Sequence, residues 1–263
     1  MAAAVAGAAT LRVLLVMARP TEATTDGPAG VPDRRRFLVG AAAFAAVGAV
    51  AVASGRALRD RFSAAASRAA LVLPGARQPL PDAASATSLE VEGLTPLHTP
   101  NDEFYRIDTA LSVPQVPVEG WSLKVSGMVD QPFEVDFDEL TAFGLVEADI
   151  TLTCVSNPVG GDLVGNARWL GVPLRRLLDE AGVQDDADQV VGRSVDGYTC
   201  GFPVEAAYDR MALVAVGMNG EPLPLQHGFP ARLVTPGLYG YISATKWLEE
   251  IELTRFDEFE QYW

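Results

Sequence analysis

The 263-residue chain reads as a sheet-rich, mixed α+β domain preceded by one apolar helix. Three observations point there. Many short apolar or alternating runs are separated by Gly, Pro, Asn-Gly and Asp-Gly, and only two stretches of the second half carry a helical pattern. No internal repeat, Gly-rich dinucleotide fingerprint or phosphate loop accompanies them, which argues against a regular βαβ array. An uncharged run, Phe37–Gly55, spans ~28 Å as a helix at ~1.5 Å per residue, close to the ~30 Å hydrocarbon core of a membrane.

The elements follow in order. Asp33-Arg34-Arg35-Arg36-Phe37-Leu38 has the pattern of a twin-arginine export signal, with two arginines, a free position and Phe-Leu. Residues 1–36 are therefore expected to be cytoplasmic and residues 37–55 to form a transmembrane or signal helix. Arg34–Arg36 precede that run, but Arg56, Arg59, Arg61 and Arg68 follow it, so the positive-inside rule is balanced. The export motif decides the orientation and places the following domain outside the cytoplasm. A second apolar stretch, residues 1–18, is interrupted by Arg12 and reads as a weak amphipathic helix or the tail of an earlier span. Residues 56–94, with Ala, Ser, Pro74, Pro79 and Pro81, read as a linker into a domain at 95–263.

Within that domain Trp121–Gly127 alternates as a half-buried strand does. Asp136 and Glu139 form a capping-box signature for a short helix through Phe143. Ala148–Val155 is a strand that Asn157-Pro158 and Gly160-Gly161 turn away. Pro173 opens a helix with Leu174, Leu177, Leu178 and Ala181 on one face, and Gly182 closes it. Strands are expected at Gln189–Val195, Tyr198–Phe202, Leu213–Met218, Ala231–Thr235 and Trp247–Leu253. Asp196-Gly197 and Asn219-Gly220 stand where tight hairpin turns belong.

Charge is unevenly placed. Residues 1–75 hold nine Arg against four acids, leaving 11 basic and 30 acidic side chains beyond. So acidic a domain excludes a nucleic-acid partner, which needs a basic face. With two cysteines and two histidines, no conventional structural zinc site can be assembled.

Cys154 lies where a strand gives way to a Gly/Pro loop, a position from which a thiolate can face a cleft, and soft thiolate suits a redox-active metal. Position alone leaves three other readings open: a small buried hydrophobe, half of a Cys154–Cys200 disulfide in a non-catalytic exported module, or a nucleophile with His227 as its base. His227 and Arg232 flank a Gly-Phe-Pro turn. With Lys246 they supply three cationic or donor groups in twenty residues, a plausible pocket for phosphate.

Taken in order, Asn101-Asp102-Glu103-Phe104-Tyr105-Arg106, Thr151-Leu152-Thr153-Cys154-Val155-Ser156-Asn157, Ala167-Arg168-Trp169-Leu170-Gly171-Val172, His227-Gly228-Phe229-Pro230 and Lys246-Trp247-Leu248 resemble the molybdopterin-binding domain of the sulfite oxidase family. The resemblance covers residues 95–263 and is closest to bacterial, membrane-associated members without a haem domain. It implies a mixed α+β fold and molybdenum held by a molybdopterin (a pyranopterin dithiolene). Cys154 matches the cysteine that ligates the metal. Asn101, Tyr105 and Arg106 match the segment beside the cofactor, and Arg106 also matches an active-site arginine of the oxidases. His227 and Arg232 match pterin- and phosphate-binding positions. Ala244, Thr245 and Lys246 match the segment closing on the phosphate, and Ser194 a further contact. The implied activity is oxygen-atom transfer on a small-molecule substrate, as a sulfite-oxidase-like enzyme or an S- or N-oxide reductase. Electrons would be exchanged with a haem-containing or quinone-linked partner at the membrane. Two departures bear on the substrate. Pro158 and Val159 stand where sulfite oxidases carry basic residues, and the gating tyrosine falls near Phe259, with Tyr262 as a shifted substitute. The aromatic run at Trp263 reads as an abrupt end for this family, as in a piece of a longer protein.

Overall fold

A computed structural model describes residues 34–61, 63–81 and 94–262. The apolar stretch at 1–18, Asp33 of the arginine motif and the linker residues 82–93 lie outside them. The chain divides into two units, Met1–Arg59 and Asp60–Trp263. In the first, α1 (Arg34–Arg61) is one helix of 28 residues. Its stretch Leu38–Arg56 is long and apolar enough, by length and composition, to cross a membrane, and Val47, Val50 and Val52 on it are exposed.

The second unit begins within the segment read as linker, and there the structure differs from that reading. α2 (Ala64–Ala70) is capped by the Ser63 hydroxyl, which accepts from the Ala66 N–H at 3.2 Å. Ala64 and Ser67 are buried, and Leu71 and Leu73 pack against the main core. The Arg68 guanidinium donates to the carbonyls of Pro222 and Leu223 and pairs with Glu221 at 3.0 Å. An Ala/Ser helix has too little hydrophobic contrast to announce itself, but its small side chains let it lie close to the domain.

Two sheets follow. The first contains β1 (Ser122–Gly127), β2 (Phe133–Asp136), β5 (Gln189–Ser194), β6 (Thr199–Pro203) and β10 (Leu248–Thr254), in the order β2-β1-β10-β5-β6. Only the β1–β10 pair is parallel, with Lys124 opposite Glu250 and Gly127 opposite Leu253. The second sheet runs β3 (Val146–Thr153), β4 (Val164–Pro173), β7 (Leu213–Met218) and β8 (Glu221–Pro222), and β9 (Arg232–Val234) shares the outer edge of β7 with β8. Central β7 is buried along its whole length, which is why it reads as an unbroken apolar run. Asn219 and Gly220, with φ of 51° and 83°, make the hairpin to β8.

Helices close the faces. α3 (Phe137–Ala142) starts at a complete capping box between Asp136 and Glu139. α4 (Leu174–Ala181) buries Leu174, Leu177, Leu178 and Ala181, and Gly182 ends it at φ 68°, a left-handed conformation that glycine adopts without steric cost. Each such buried leucine contributes ~1.5–3 kcal/mol. α5 (Val204–Asp209) and α6 (Gly240–Ser243) complete the set. α4 lies in a core with Leu123, Val190 and Ile251. Trp169, Phe104, Phe229 and Ala244 belong to a second core, beside which the candidate site lies.

Candidate functional site

A cavity of about 230 Å³ opens where strand ends from both sheets converge, lined by Tyr105, Asp108, Leu152, Cys154, Ser194, Tyr198, His227, Arg232, Tyr241, Ala244 and Lys246 among others. Cys154 follows the last residue of β3. Its N–H donates to the Leu163 carbonyl at 2.9 Å, its carbonyl accepts from Asn157 at 3.0 Å, and the Asn157 side chain accepts from Leu163 N–H. This small turn fixes the thiol at the cavity wall, with Sγ 3.0 Å from the Ser156 hydroxyl.

Arg232 stands on β9, held by the adjoining turn. Its guanidinium donates to the carbonyls of His227 at 3.0 Å and Ala244 at 3.4 Å and lies 5.1 Å over the Trp169 ring. Arg232 is 5% exposed, and among the described residues no carboxylate pairs with it. Burial pulls its pKa down to about 10. Gly228 permits this packing. It sits at φ 106°, and a Cβ there would lie 3.0 Å from the Lys246 backbone and 3.1 Å from the Arg232 Cβ.

The neighbouring groups are neutral or already matched. His227 Nε2 lies 3.0 Å from the Asn101 carbonyl, which can only accept, so Nε2 carries the proton and Nδ1 is left as an acceptor. Burial, together with the charge of Arg232, pushes His227 down to about 4. Burial raises Tyr105 to about 12, and its ring stacks on Phe104 at 5.4 Å. Lys246 donates to Asp108 at 2.7 Å and to the Gln226 carbonyl at 3.3 Å, and burial draws it down to about 8. Burial of Asp108 would raise its carboxyl, but hydrogen bonds from Arg106 and Lys246 outweigh that and leave it below the ordinary value.

Of the residues singled out from sequence, Tyr105, Cys154, Ser194, His227, Arg232, Ala244 and Lys246 line one cavity. Asn101, Arg106 and Thr245 do not. Asn101 stands behind His227 and bonds Glu221 at 2.6 Å. Arg106 turns to Asp108. Thr245 is buried, its hydroxyl 2.9 Å from Cys200 Sγ. Both cysteines are free thiols, which corrects the disulfide alternative: Cys200 is committed to Thr245 and Cys154 faces the cavity. The nucleophile–base alternative also lacks its hydrogen bond, because Cys154 meets Ser156 and His227 meets Asn101. No group of three metal-binding side chains occurs among the described residues, so one soft ligand and a buried cation are what the cavity offers. Sequence reasoning missed Asp108, Tyr198 and Tyr241. The available signal for Asp108 was an acid two residues after the arginine of the Asn101–Arg106 motif.

Residues 110–263 match a family model described as the oxidoreductase molybdopterin binding domain; Asn101–Arg106 lie just ahead of the matched segment. An uncharacterized oxidoreductase, YuiH, of Bacillus subtilis (strain 168) is 36% identical over 135 residues, covering 51% of this chain and 66% of that protein. The NADH nitrate reductase of Solanum lycopersicum is 32% identical over 179 residues, covering 57% of this chain and 19% of the reductase. The crystal structure of the sulfane dehydrogenase SoxCD from Paracoccus pantotrophus is similar in fold, with a TM-score of 0.50, 27% identity and coverage of 54% of this chain and 40% of that chain. The chain thus spans less than two thirds of the length of each of these relatives.

Proposed function

The chain belongs to the oxidoreductase molybdopterin-binding domain family, whose cofactor is molybdopterin carrying molybdenum, and we propose that the cavity beside Cys154 holds it for oxygen-atom transfer on a small substrate. The observation that carries this reading is Arg232. An unpaired guanidinium at 5% exposure costs several kcal/mol unless an anion joins it, and the cofactor's phosphate is such an anion. On the same cavity Cys154 offers the one soft ligand. A buried cation and a thiol facing one space fit a group that is anionic at one end and metallic at the other.

When bound, the cofactor supplies two-electron oxygen-atom transfer chemistry. The chain's own residues hold and orient. Cys154 would hold the metal as its thiolate, and Arg232 would anchor the anionic end. His227, its proton fixed on Nε2 by Asn101, keeps Nδ1 as an acceptor and would hold the pterin through it. Ala244 and Lys246 line the cavity, Thr245 between them is buried against Cys200, and Ser194 adds a hydroxyl at the end of β5. Tyr105, with its pKa pushed up to about 12, stays a neutral donor across the working pH range. Arg106 stands outside, coupled through Asp108.

The wider setting is part of the same proposal. Residues 1–36 remain cytoplasmic, 37–55 anchor the chain, 56–94 lead into the domain, and residues 95–263 work outside the membrane, exchanging electrons with a haem-containing or quinone-linked protein. The apolar helix and the arginines at its start support that arrangement.

Protein purified from a host that makes the cofactor is expected to carry one molybdenum per chain by elemental analysis, with pterin fluorescence after oxidation. Cys154→Ser should fold, with an unchanged circular dichroism spectrum, yet lose molybdenum-dependent turnover by at least ~100-fold. Wild-type protein free of molybdenum, or full turnover in Cys154→Ser, would overturn the reading.

A further inference from the structure

Helix α2 reaches the back of the candidate site through a short series of contacts. It is held to the domain by more than its cap: Ser67 Oγ accepts from the Val118 N–H at 2.9 Å, and Ala64 is fully buried. α2 lies against the short turn Leu225–His227, and from it the Arg68 fork makes two kinds of contact. Nε and Nη2 donate to the carbonyls of Leu223 at 2.8 Å and Pro222 at 2.7 Å, fixing the segment that runs into the His227 turn. Nη2 also pairs with one oxygen of Glu221 at 3.0 Å, and the other Glu221 oxygen accepts from Asn101 Nδ2 at 2.6 Å. Asn101 Oδ1 accepts from Asn219 at 2.8 Å, so the Asn101 side chain is gripped from two sides. The backbone carbonyl of Asn101, thus aimed, accepts the Nε2–H of His227 at 3.0 Å. One guanidinium therefore steadies both ends of that hydrogen bond, the His227 turn through Pro222 and Leu223 and Asn101 through Glu221.

Building on the cofactor reading above, we propose that Arg68 is a positioning residue for the cofactor: it holds His227 as the Nε2–H tautomer, with Nδ1 left to accept, and so makes α2 a working part of the site rather than a stretch of tether. The tautomer of a neutral imidazole is set by the bond that its other nitrogen makes. If the Asn101 carbonyl drifts, the proton is free to move to Nδ1, and the acceptor is lost. Arginine suits this task because its planar fork binds two carbonyls and a carboxylate at once, where lysine offers a single point charge. The Arg68 and Glu221 side chains are 26% and 49% exposed, so their ion pair adds little to stability. Its effect is on where Asn101 points.

The test compares full-length, molybdenum-replete wild type with Arg68→Met, Arg68→Lys and Glu221→Gln. Release of the pterin after dilution is followed by its fluorescence, and nitrogen NMR of histidine-labelled protein reports which ring nitrogen of His227 carries the proton. The chain has two histidines, so a His98→Gln background assigns the signals. Wild type should show a protonated Nε2 and slow release. Arg68→Met should release the cofactor at least ~10-fold faster, with the two ring nitrogens of His227 drawn toward a common shift. Glu221→Gln should move both readings in the same direction by less, and it serves where Arg68→Met does not fold. Arg68→Lys should recover part of the wild-type retention through its pair with Glu221. Arg77→Met, which loses an exposed bond to the Ala142 carbonyl, should leave both readings at wild-type values. Faster release with an unchanged His227 tautomer, or unchanged release in both Arg68→Met and Glu221→Gln, would overturn the role of Arg68 while leaving the cofactor reading intact. Absence of molybdenum from wild type would overturn that reading, and this role with it.

Discussion

The two cysteines mark two neighbourhoods that share a residue type and little else. Cys154 stands one residue beyond a strand, on a turn that opens to a cavity, with a serine hydroxyl beside its sulfur. Cys200 stands inside β6, opposite Gly192 of β5, enclosed and bonded to Thr245. Burial pushes the Cys200 thiol up to about 11. Both are counted as buried, so burial by itself does not separate a working thiol from a structural one. The backbone does. A strand interior points its side chain into packed neighbours, whereas a strand end followed by Asn157-Pro158 leaves room in front of the sulfur. Arg232 stands near both: its charge acts against the protonation of Cys200 and of Tyr105 alike.

The widest separation should appear in alkylation of cofactor-free native protein at pH 8. Iodoacetamide is expected to label Cys154 at least ~1000-fold faster than Cys200, since attack needs an accessible thiolate. Peptide mapping that found equal labelling would erase the distinction. Next comes the charge of Arg232. Arg232→Met removes the unpaired guanidinium and should lower affinity for the cofactor by roughly 100-fold, seen as lost molybdenum and pterin. The cofactor-free variant should melt no lower than cofactor-free wild type, because a buried cation without a carboxylate has been replaced by an apolar chain of similar length. A lower melting temperature would show that the bonds to His227 and Ala244 outweigh the desolvation of Arg232. The smallest effect concerns the cavity side in acid. His227 has a native pKa of about 4 against an ordinary 6.5, so between those values the unfolded chain binds the proton and the native chain does not. Stability present above pH 6.5 should therefore fall as pH drops toward 4, by roughly 3 kcal/mol from this group. Denaturant titrations of cofactor-free protein across that window should show a shallower fall in His227→Gln.

The sequence was most legible where side-chain pattern and backbone agree. Leu174, Leu177, Leu178 and Ala181 repeat at helical spacing, and all four are buried in α4. Asp136 and Glu139 announce a capping box that the structure completes. β4 was not read as a strand, and the reason is specific. Its inward positions include Gly165 and Ala167, because the Phe104 ring occupies the space a larger side chain would need: a Cβ on Gly165 would meet that ring at 2.6 Å. Hydrophobic alternation is invisible where the hydrophobe comes from elsewhere in the chain. The same limit applies to the candidate site. Cys154, His227 and Arg232 belong to recognisable motifs and line one cavity. The position of Asp108 between Arg106 and Lys246 depends on a contact spanning 138 residues of sequence, which no local spacing encodes.

The parallel pairing of β1 with β10 has its own consequence for how the molecule comes into being. Residues 248–254 form the middle of the first sheet, between β1 and β5, so the earlier strands have no centre to join until that stretch has left the ribosome. At ~5–20 residues per second, a ribosome needs several seconds to travel from β1 to β10. Through that interval the apolar faces of β1 and β5 lack their shared neighbour. Completion of the first sheet therefore waits for Leu248–Thr254 to emerge, and a cavity that draws on that sheet waits with it.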